Sequence, residues 1–355
     1  MKTAKRKLDI LIPTFNRPKR LHHLLKTGLE LGIPEMSFIV LDDGSTGTED
    51  VPGLGSVTPK MVCESFGTER VRYSSNPVNA GVAASLVRYY REVCDAEYTT
   101  MCIDKDEFIS AEPYAKALAK LDADPKLSIV MLPLRQIDRV SSDRPLLFNY
   151  PRMTGREFLN IYARDPTLPH AGAYSILRAS AAKEAGIPRS LNLRAYGLED
   201  GFGIDIDNLM MVASTGDVDF VDEPAVRRSV VDGMTERYPL TFAYTYYQYA
   251  KRLMLELKAR GFVSDETKRF YLAWWHLLIV RGLVVAYRHV HGSEQEQGVK
   301  RIRPHLPMPI LLYLPLECLR LRVMPRKETV KVYFVGARLL LTDWWNKVRG
   351  RPHIS

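Results

Sequence analysis

Short apolar runs alternate with amphipathic segments over the first 135 residues of the chain. The runs with the length of buried strands are Leu8–Ile12, Ser37–Leu41, Val71–Tyr73, Tyr98–Ile103 and Ser128–Leu132. Between them, apolar residues recur at helical spacing in Pro18–Leu31, Ala80–Val93 and Pro113–Leu121. Strands that alternate with helices in this way predict βαβ units and a mostly parallel sheet.

The pattern changes after about residue 236. Leu- and Arg-rich helical patterns run from about residue 240 to 290 and again from about 329 to 348, on either side of the proline-broken stretch Pro304–Pro325. We therefore expect an α/β domain over residues 1–235, followed by a helical C-terminal region over residues 236–355.

Aromatic and Leu residues are mixed with Arg and Lys in the last fifty residues of this C-terminal region. That mixture suits a helix lying in the interface of an anionic membrane. Two alternatives use the same apolar face: packing on the α/β domain, and a homodimer interface. The sequence leaves all three open.

The chain is basic, with a formal net charge of +9 and a hydrophobic fraction of 46%. An excess of basic over acidic residues favours anionic lipid or phosphorylated substrates as binding partners. We expect no nucleic-acid partner. None of the four cysteines has CxxC spacing, so buried free thiols in a reducing compartment are expected. No stretch reaches the roughly 18–20 apolar residues of a membrane span. These features predict a cytoplasmic protein, either free or peripheral on the inner face of a membrane.

An acidic cluster, Asp104-Lys105-Asp106-Glu107, follows the strand Tyr98–Ile103. Two carboxylates at positions i and i+2 after a strand can share one hard cation such as Mg²⁺ or Mn²⁺, which prefers oxygen ligands and leaves positions for phosphate oxygens. Such a cation would neutralise a diphosphate leaving group. Lys105 adds a positive charge beside this predicted metal site.

A turn with polar residues also follows each of the first two strands. The candidate residues are Pro13, Thr14, Asn16 and Arg17 after the first strand, and Asp42 and Asp43 after the second. The backbone of the first group can frame a planar base, Arg17 can reach a phosphate, and a carboxylate of the second group can accept a hydrogen bond from a base or ribose. Open α/β sheets bind ligands at the carboxyl ends of their strands, so the three strand ends predict one nucleotide site.

Four motifs in this order resemble glycosyltransferase family 2, the inverting transferases of the GT-A fold: LDILIPTFNRPKRL, FIVLDDGS, NAGVAASL and CIDKDEF. A second stretch, LPHAGAYSILRASAAKEAGIP followed by YGLEDGFG, is similar to the family's acceptor-side half. The resemblance implies a GT-A-type, Rossmann-like sheet flanked by helices. Its nucleotide-sugar-binding half would cover residues 8–125 and its acceptor half residues 126–235.

The resemblance also implies roles for single residues. Thr14 and Asp42 would contact the nucleoside, Asp104 would hold the ribose or a metal-bound water, and Asp106 would bind the metal. The full nucleotide-sugar-binding set would be Pro13, Thr14, Asn16, Arg17, Asp42, Asp43, Asn79, Asp104 and Lys105.

On the acceptor side, the family's Glu-Asp motif maps onto Glu199-Asp200. Asp200 would be the general base that deprotonates the acceptor hydroxyl, and Glu199 would orient the acceptor. His170 and Gly172 are candidates for lining the acceptor pocket.

The chain departs from the family pattern at three places. The family's usual Asp-x-Asp-Asp is Asp104-Lys105-Asp106-Glu107 here. Ser85-Leu86-Val87 stands where many members have Ala-Arg-Asn, and residues 226–238 contain no His after the base. Arg227 and Arg228 lie in the latter stretch and are candidates for holding the diphosphate from a closing loop.

We therefore expect an inverting, metal-dependent hexosyltransferase that uses Mn²⁺ or Mg²⁺. Its donor would be a nucleotide-diphosphate sugar, with a UDP-sugar favoured. Its acceptor would be a glycan or lipid-linked glycan in surface polysaccharide synthesis. A nucleotidyltransferase would need a glycine-rich loop after the first strand, and the chain has none there. A non-catalytic, transferase-like scaffold subunit of a membrane-associated assembly remains the alternative.

Overall fold

The computed structural model describes residues 6–137, 144–148, 150–164, 174–191, 203–229, 239–275 and 279. The chain divides into two compact units. The first unit comprises Met1–Leu159, Thr167–Leu191 and Ile204–Val231. The second unit comprises Asn160–Pro166, Asn192–Gly203 and Asp232–Ser355. The predicted boundary near residue 235 stays a prediction.

Strands and helices alternate along the first unit. The strands are β1 (Leu8–Thr14), β2 (Met36–Asp42), β3 (Glu49–Val51), β4 (Gly55–Val57), β5 (Val71–Ser75), β6 (Tyr98–Met101), β7 (Glu107–Phe108), β8 (Leu127–Met131), β9 (Leu134–Ile137), β10 (Arg144–Leu146), β11 (Ile176–Arg178), β12 (Asp217–Phe220) and β13 (Val226–Ser229). The α-helices are α1 (Pro18–Glu30), α2 (Pro59–Ser65), α3 (Val82–Arg88), α4 (Glu112–Ala123), α5 (Gly155–Arg164), α6 (Ala179–Glu184), α7 (Ile204–Ala213) and, in the second unit, α8 (Pro239–Ala259). Residues 265–275 are also helical, and a π-helix, Tyr89–Val93, follows α3.

A seven-stranded sheet in the order β12-β8-β11-β6-β1-β2-β5 forms the centre of the first unit. Its strand pairs are parallel except where β11 runs antiparallel between β6 and β8. The side chains of β1 and β2 are almost all buried, as expected of parallel strands with helices on both faces. The register sets Thr14 opposite Asp42, so both strands end at the same edge of the sheet.

Two smaller sheets complete the first unit. One is a four-stranded sheet in the order β10-β9-β13-β7, and the other pairs β3 with β4. In the four-stranded sheet, β13 runs antiparallel to β7, which directly follows the Asp104–Asp106 turn. This pairing brings the chain around residue 228 close to the acidic cluster.

The mostly parallel sheet flanked by helices, predicted from the alternating pattern, is confirmed. The helix expected over Ala80–Val93 differs in detail, because its α-helical part begins at Val82 and it ends as a π-helix, Tyr89–Val93. The physical reason for the later start is Gly81, whose φ of 90° lies outside the helical region. The strand β11 was not predicted, since three residues are too few to show a period.

Helices predominate in the described part of the second unit. Residues 239–259 and 265–275 are helical, and the two helices meet where the Tyr246 ring stacks on Trp275 at a centroid distance of 4.7 Å. The predicted helical patterns beyond residue 280, including Pro304–Pro325, lie outside the described residues. Among the helices that the structure describes, none is both long and apolar enough to cross a membrane.

Candidate active site

The ends of β1 and β6 are joined by side chains at the carboxyl edge of the central sheet. Thr14, the last residue of β1, donates its hydroxyl to Oδ2 of Asp104 at 3.1 Å. Arg17 donates from Nη1 to Oδ1 of the same carboxylate at 3.1 Å. Both oxygens of Asp104 therefore have partners from the end of β1 and the loop after it, and the two strand ends form one polar surface.

Asp104 is buried, whereas the side chain of its partner Arg17 is 45% exposed. Burial raises the pKa of Asp104, although the charge and hydrogen bond of Arg17 and the hydroxyl of Thr14 act in the opposite direction. Arg17 can also donate to a ligand at this edge, because its side chain is half-exposed and its guanidinium has five N–H donors.

Asp106 lies two residues further on and is 1% exposed. Its Oδ2 accepts hydrogen bonds from the Tyr174 hydroxyl at 2.7 Å and from the Ile103 backbone N–H at 3.1 Å. Its Oδ1 is also buried, but no described residue donates to it. Burial raises the pKa of Asp106 to about 6, because desolvation of the carboxylate outweighs these donors and the charge of Arg228.

Arg227 and Arg228 were expected to act together, but the structure gives them different surroundings. The Arg228 guanidinium lies over the Tyr174 ring, 5.7 Å from its centroid, beside Asp106. Arg227 instead pairs with Glu107 at 2.8 Å. Successive residues of a strand point to opposite faces, and both residues belong to β13, so their separation follows from the pleat.

Lys105, between the two carboxylates, is partly buried. Burial and the nearby charge of Arg228 lower the pKa of its ammonium group, while Asp106 acts in the opposite direction. Positive side chains thus surround the acidic pair, as would suit a negatively charged ligand.

Asp42, the last residue of β2, has both carboxylate oxygens occupied. Oδ1 accepts from the backbone N–H of Ser45 at 2.9 Å and from its hydroxyl at 2.5 Å. Oδ2 accepts from the Tyr73 hydroxyl at 2.6 Å. The carboxylate thus fixes the turn after β2 and ties it to β5.

Asp43 holds the loop before α3. Its Oδ1 accepts from Asn76 Nδ2 at 2.8 Å and from the Ala80 N–H at 2.9 Å, and its Oδ2 accepts from the Gly81 N–H at 2.8 Å. This loop carries Asn79, and it passes so close to Gly44 that a Cβ there would lie 2.6 Å from the Val78 carbonyl carbon.

Asn16 connects the loop after β1 to the loop after β2. Its Oδ1 accepts from the backbone N–H groups of Thr46 and Gly47 at 3.0 and 2.9 Å, and its own N–H donates to the Ser45 hydroxyl at 2.7 Å. These bonds accompany a φ of 53°, a left-handed conformation that Asn tolerates better than most residues. Pro13 lies within β1, opposite Leu41.

The structure thus places the predicted donor-side residues of the first unit at the ends of β1 and β2 and on the loops that follow β1, β2, β5 and β6. Glu199, Asp200, His170 and Gly172, the predicted acceptor-side residues, lie outside the described residues. Tyr174 was missed, because a hydrogen bond to a residue 68 positions away leaves no local pattern in the sequence.

The donor set fits a hard cation held by one protein oxygen. Within the described ranges, no three His, Cys, Asp or Glu side chains are grouped so as to hold a metal ion. Asp106 Oδ1 is nevertheless a buried carboxylate oxygen with no described donor. Mg²⁺ typically binds one or two carboxylates and fills its other positions with waters and substrate phosphates, so a single carboxylate oxygen without a described donor is compatible with it.

Comparison with known proteins agrees with this geometry. The sequence model described as glycosyl transferase family 2 matches residues 9–186, half of the chain. No curated protein matches the chain. The crystal structure of S. aureus TarS 1-349 in complex with UDP is 16% identical, with a TM-score of 0.58 over 98% of this chain and 93% of that chain. The complex of TarS 1-349 with UDP-GlcNAc gives 16% identity and a TM-score of 0.57 over the same shares of 98% and 93%.

At 16% identity, the likeness to TarS shows the fold alone, and it confirms the expected GT-A architecture. The family match covers β1, β2, β5 and β6 together with the Asp104–Asp106 turn. It therefore includes every donor-side residue described above except Arg227 and Arg228. The chain belongs to glycosyl transferase family 2, and it is a glycosyltransferase that uses a nucleotide-sugar donor.

Proposed function

We propose that the chain is an inverting, metal-dependent glycosyltransferase that moves a hexose-type sugar from a nucleotide-diphosphate donor to a glycan or lipid-linked acceptor. The observation that supports this most is the hydrogen bonding of the buried Asp106 carboxylate. One of its oxygens is fixed by Tyr174, and the other is buried without a described donor, two residues after Asp104 in the chain. A carboxylate in this state is suited to a cation ligand.

On the donor side, we place the nucleoside near Thr14 and the loops after β1 and β2. The half-exposed Arg17 and the strand residue Arg228 supply positive charge for the diphosphate, and Lys105 adds to it. Fixed cations of this kind stabilise the charge that develops on a leaving diphosphate. A UDP-sugar remains our favoured donor, since TarS structures with the same fold contain UDP and UDP-GlcNAc.

Mn²⁺ or Mg²⁺ is the proposed cofactor, with Asp106 as its protein ligand. Asp104 would act from a greater distance, through a water or the donor ribose, because Thr14 and Arg17 already occupy its oxygens. When bound, the cation would offset the negative charge of the diphosphate. The protein residues hold Asp106 in place and exclude water from it.

On the acceptor side, Asp200 is the proposed general base and Glu199 the residue that orients the acceptor. Both assignments rest on the family's Glu-Asp motif. A role in surface polysaccharide synthesis, contact with an anionic membrane and a homodimer also remain proposals, drawn from the basic and aromatic C-terminal pattern.

The donor and metal proposal is tested by thermal melting with UDP, GDP or CDP, each with Mn²⁺ or with EDTA. A ligand that binds only the native state raises its melting temperature, so UDP with Mn²⁺ should give the largest rise. At a hundredfold excess over its Kd, the stabilisation should be about 2.7 kcal/mol. No rise with any diphosphate would contradict donor binding, and equal rises in Mn²⁺ and EDTA would contradict the metal.

The base proposal is tested with Asp200→Ala. General base catalysis contributes roughly 10²–10⁴-fold to a rate, so turnover should fall by that factor while the melting shift with UDP and Mn²⁺ remains. The exposed Asp222, replaced by Ala, is the matched control and should retain turnover. Wild-type turnover in Asp200→Ala would end the assignment.

A further inference from the structure

Tyr174 is a buried tyrosine that no sequence motif assigned to the site. It lies two residues before β11, and β11 runs antiparallel to β6. The start of β11 is therefore beside the end of β6, where the Asp104–Asp106 turn begins. This topology brings the Tyr174 side chain to Asp106 from the acceptor half of the sequence.

The hydroxyl of Tyr174 donates to Oδ2 of Asp106 at 2.7 Å, and the Ile103 N–H donates to the same oxygen at 3.1 Å. The Cys102 thiol is a weak third donor to it at 3.9 Å. Donors that converge on one oxygen fix the orientation of the carboxylate, because rotation would break these bonds. The other oxygen, Oδ1, is the buried atom without a described donor. Oδ2 is thus held by the protein, whereas Oδ1 is the oxygen that a ligand could bind.

We propose that Tyr174 is a positioning residue for the divalent cation: it holds Oδ2 of Asp106 so that Oδ1 is presented to the metal. This inference rests on the proposed function, since it takes Asp106 as the metal ligand. Residues that hydrogen-bond a metal ligand typically contribute 10- to 100-fold to metal affinity. The Tyr174 ring has a second contact, under the Arg228 guanidinium at 5.7 Å.

Tyr174→Phe tests the proposal, since it removes the hydroxyl and keeps the ring beneath Arg228. We expect Mn²⁺ to bind about 10- to 100-fold more weakly in the presence of UDP, measured from the electron paramagnetic resonance signal of free Mn²⁺. The matched control is Tyr98→Phe. The Tyr98 hydroxyl makes a similar bond, 2.8 Å to Oδ1 of Asp122, at the opposite end of β6, and its loss should leave Mn²⁺ affinity unchanged.

The Mn²⁺-induced rise in melting temperature is a second measurement, made within each variant, so it does not require equal stabilities. A smaller rise in Tyr174→Phe than in Tyr98→Phe supports the proposal. Mn²⁺ affinity within about twofold of wild type in Tyr174→Phe would overturn it while leaving the proposed function intact. If the wild-type protein itself does not bind Mn²⁺, the metal dependence and this inference both fall.

Discussion

The Asp42–Asp43 pair and the Asp104–Asp106 pair both follow buried parallel strands, at the same edge of the same sheet. Their carboxylates nevertheless differ in what they bind. Each oxygen of Asp42 and Asp43 accepts at least one hydrogen bond from the protein. In the second pair Asp104 is likewise satisfied, but Oδ1 of Asp106 has no described donor.

This difference separates two uses of buried carboxylates. Buried polar groups are almost always paired within the protein, and an unpaired one is costly unless a ligand satisfies it. Asp42 and Asp43 meet that requirement internally and stabilise the loops around the site. Asp106 does not meet it among the described residues, and we therefore place the ligand there. Sequence position alone does not distinguish the two pairs, because both are acidic residues at the carboxyl end of an apolar run.

The largest effect that follows from the comparison is a loss of turnover in Asp106→Asn. The amide keeps an oxygen that can accept from Tyr174 and Ile103, but it lacks the charge that a cation requires. Charge stabilisation by a metal is worth several kcal/mol, so turnover with Mn²⁺ should fall on the order of 10³-fold. A radioactive-sugar transfer assay, or detection of released nucleoside diphosphate, measures this.

Asp122→Asn is the control for that experiment. Asp122 is also hydrogen-bonded by a tyrosine hydroxyl, from Tyr98, but at the opposite end of β6. Its turnover should stay near the wild-type value. If Asp106→Asn retains turnover, the two acidic pairs do not differ in function and the comparison fails.

The sheet was predictable because its signals are local. The apolar runs of β1 and β2 are bounded by turn residues, and Leu21, Leu24 and Leu25 recur at helical spacing in α1, where all three are buried. The strand ends were predictable for the same reason, since polar residues follow each run directly. The proximity of Thr14, Arg17 and Asp104 therefore follows from the order of strands and polar turns along the chain.

The partners of these residues were not predictable, because they are set by long-range register. Tyr174 meets Asp106 only because β11, three residues long, pairs antiparallel with β6. Arg227 and Arg228 look equivalent in the sequence, and the pleat of β13 distinguishes them. The internal hydrogen bonds of Asp43 likewise depend on how close the loop before α3 comes to the turn after β2.

The smaller effect concerns stability, in Asp43→Asn. An asparagine would lose the charge and turn an N–H group toward the N–H donors of either Ala80 or Gly81, so one of the bonds that hold this loop would be lost. Hydrogen bonds to charged groups contribute about 1.5–3 kcal/mol, and we expect the melting temperature to fall by roughly 4–8 °C.

The control is the exposed Asp50, whose replacement by Asn should leave the melting temperature unchanged. Because Asp43 is satisfied within the protein, Mn²⁺ affinity should not change in the folded variant. If the variant melts at the wild-type temperature but binds Mn²⁺ poorly, Asp43 belongs to the metal site and does not merely support the loop.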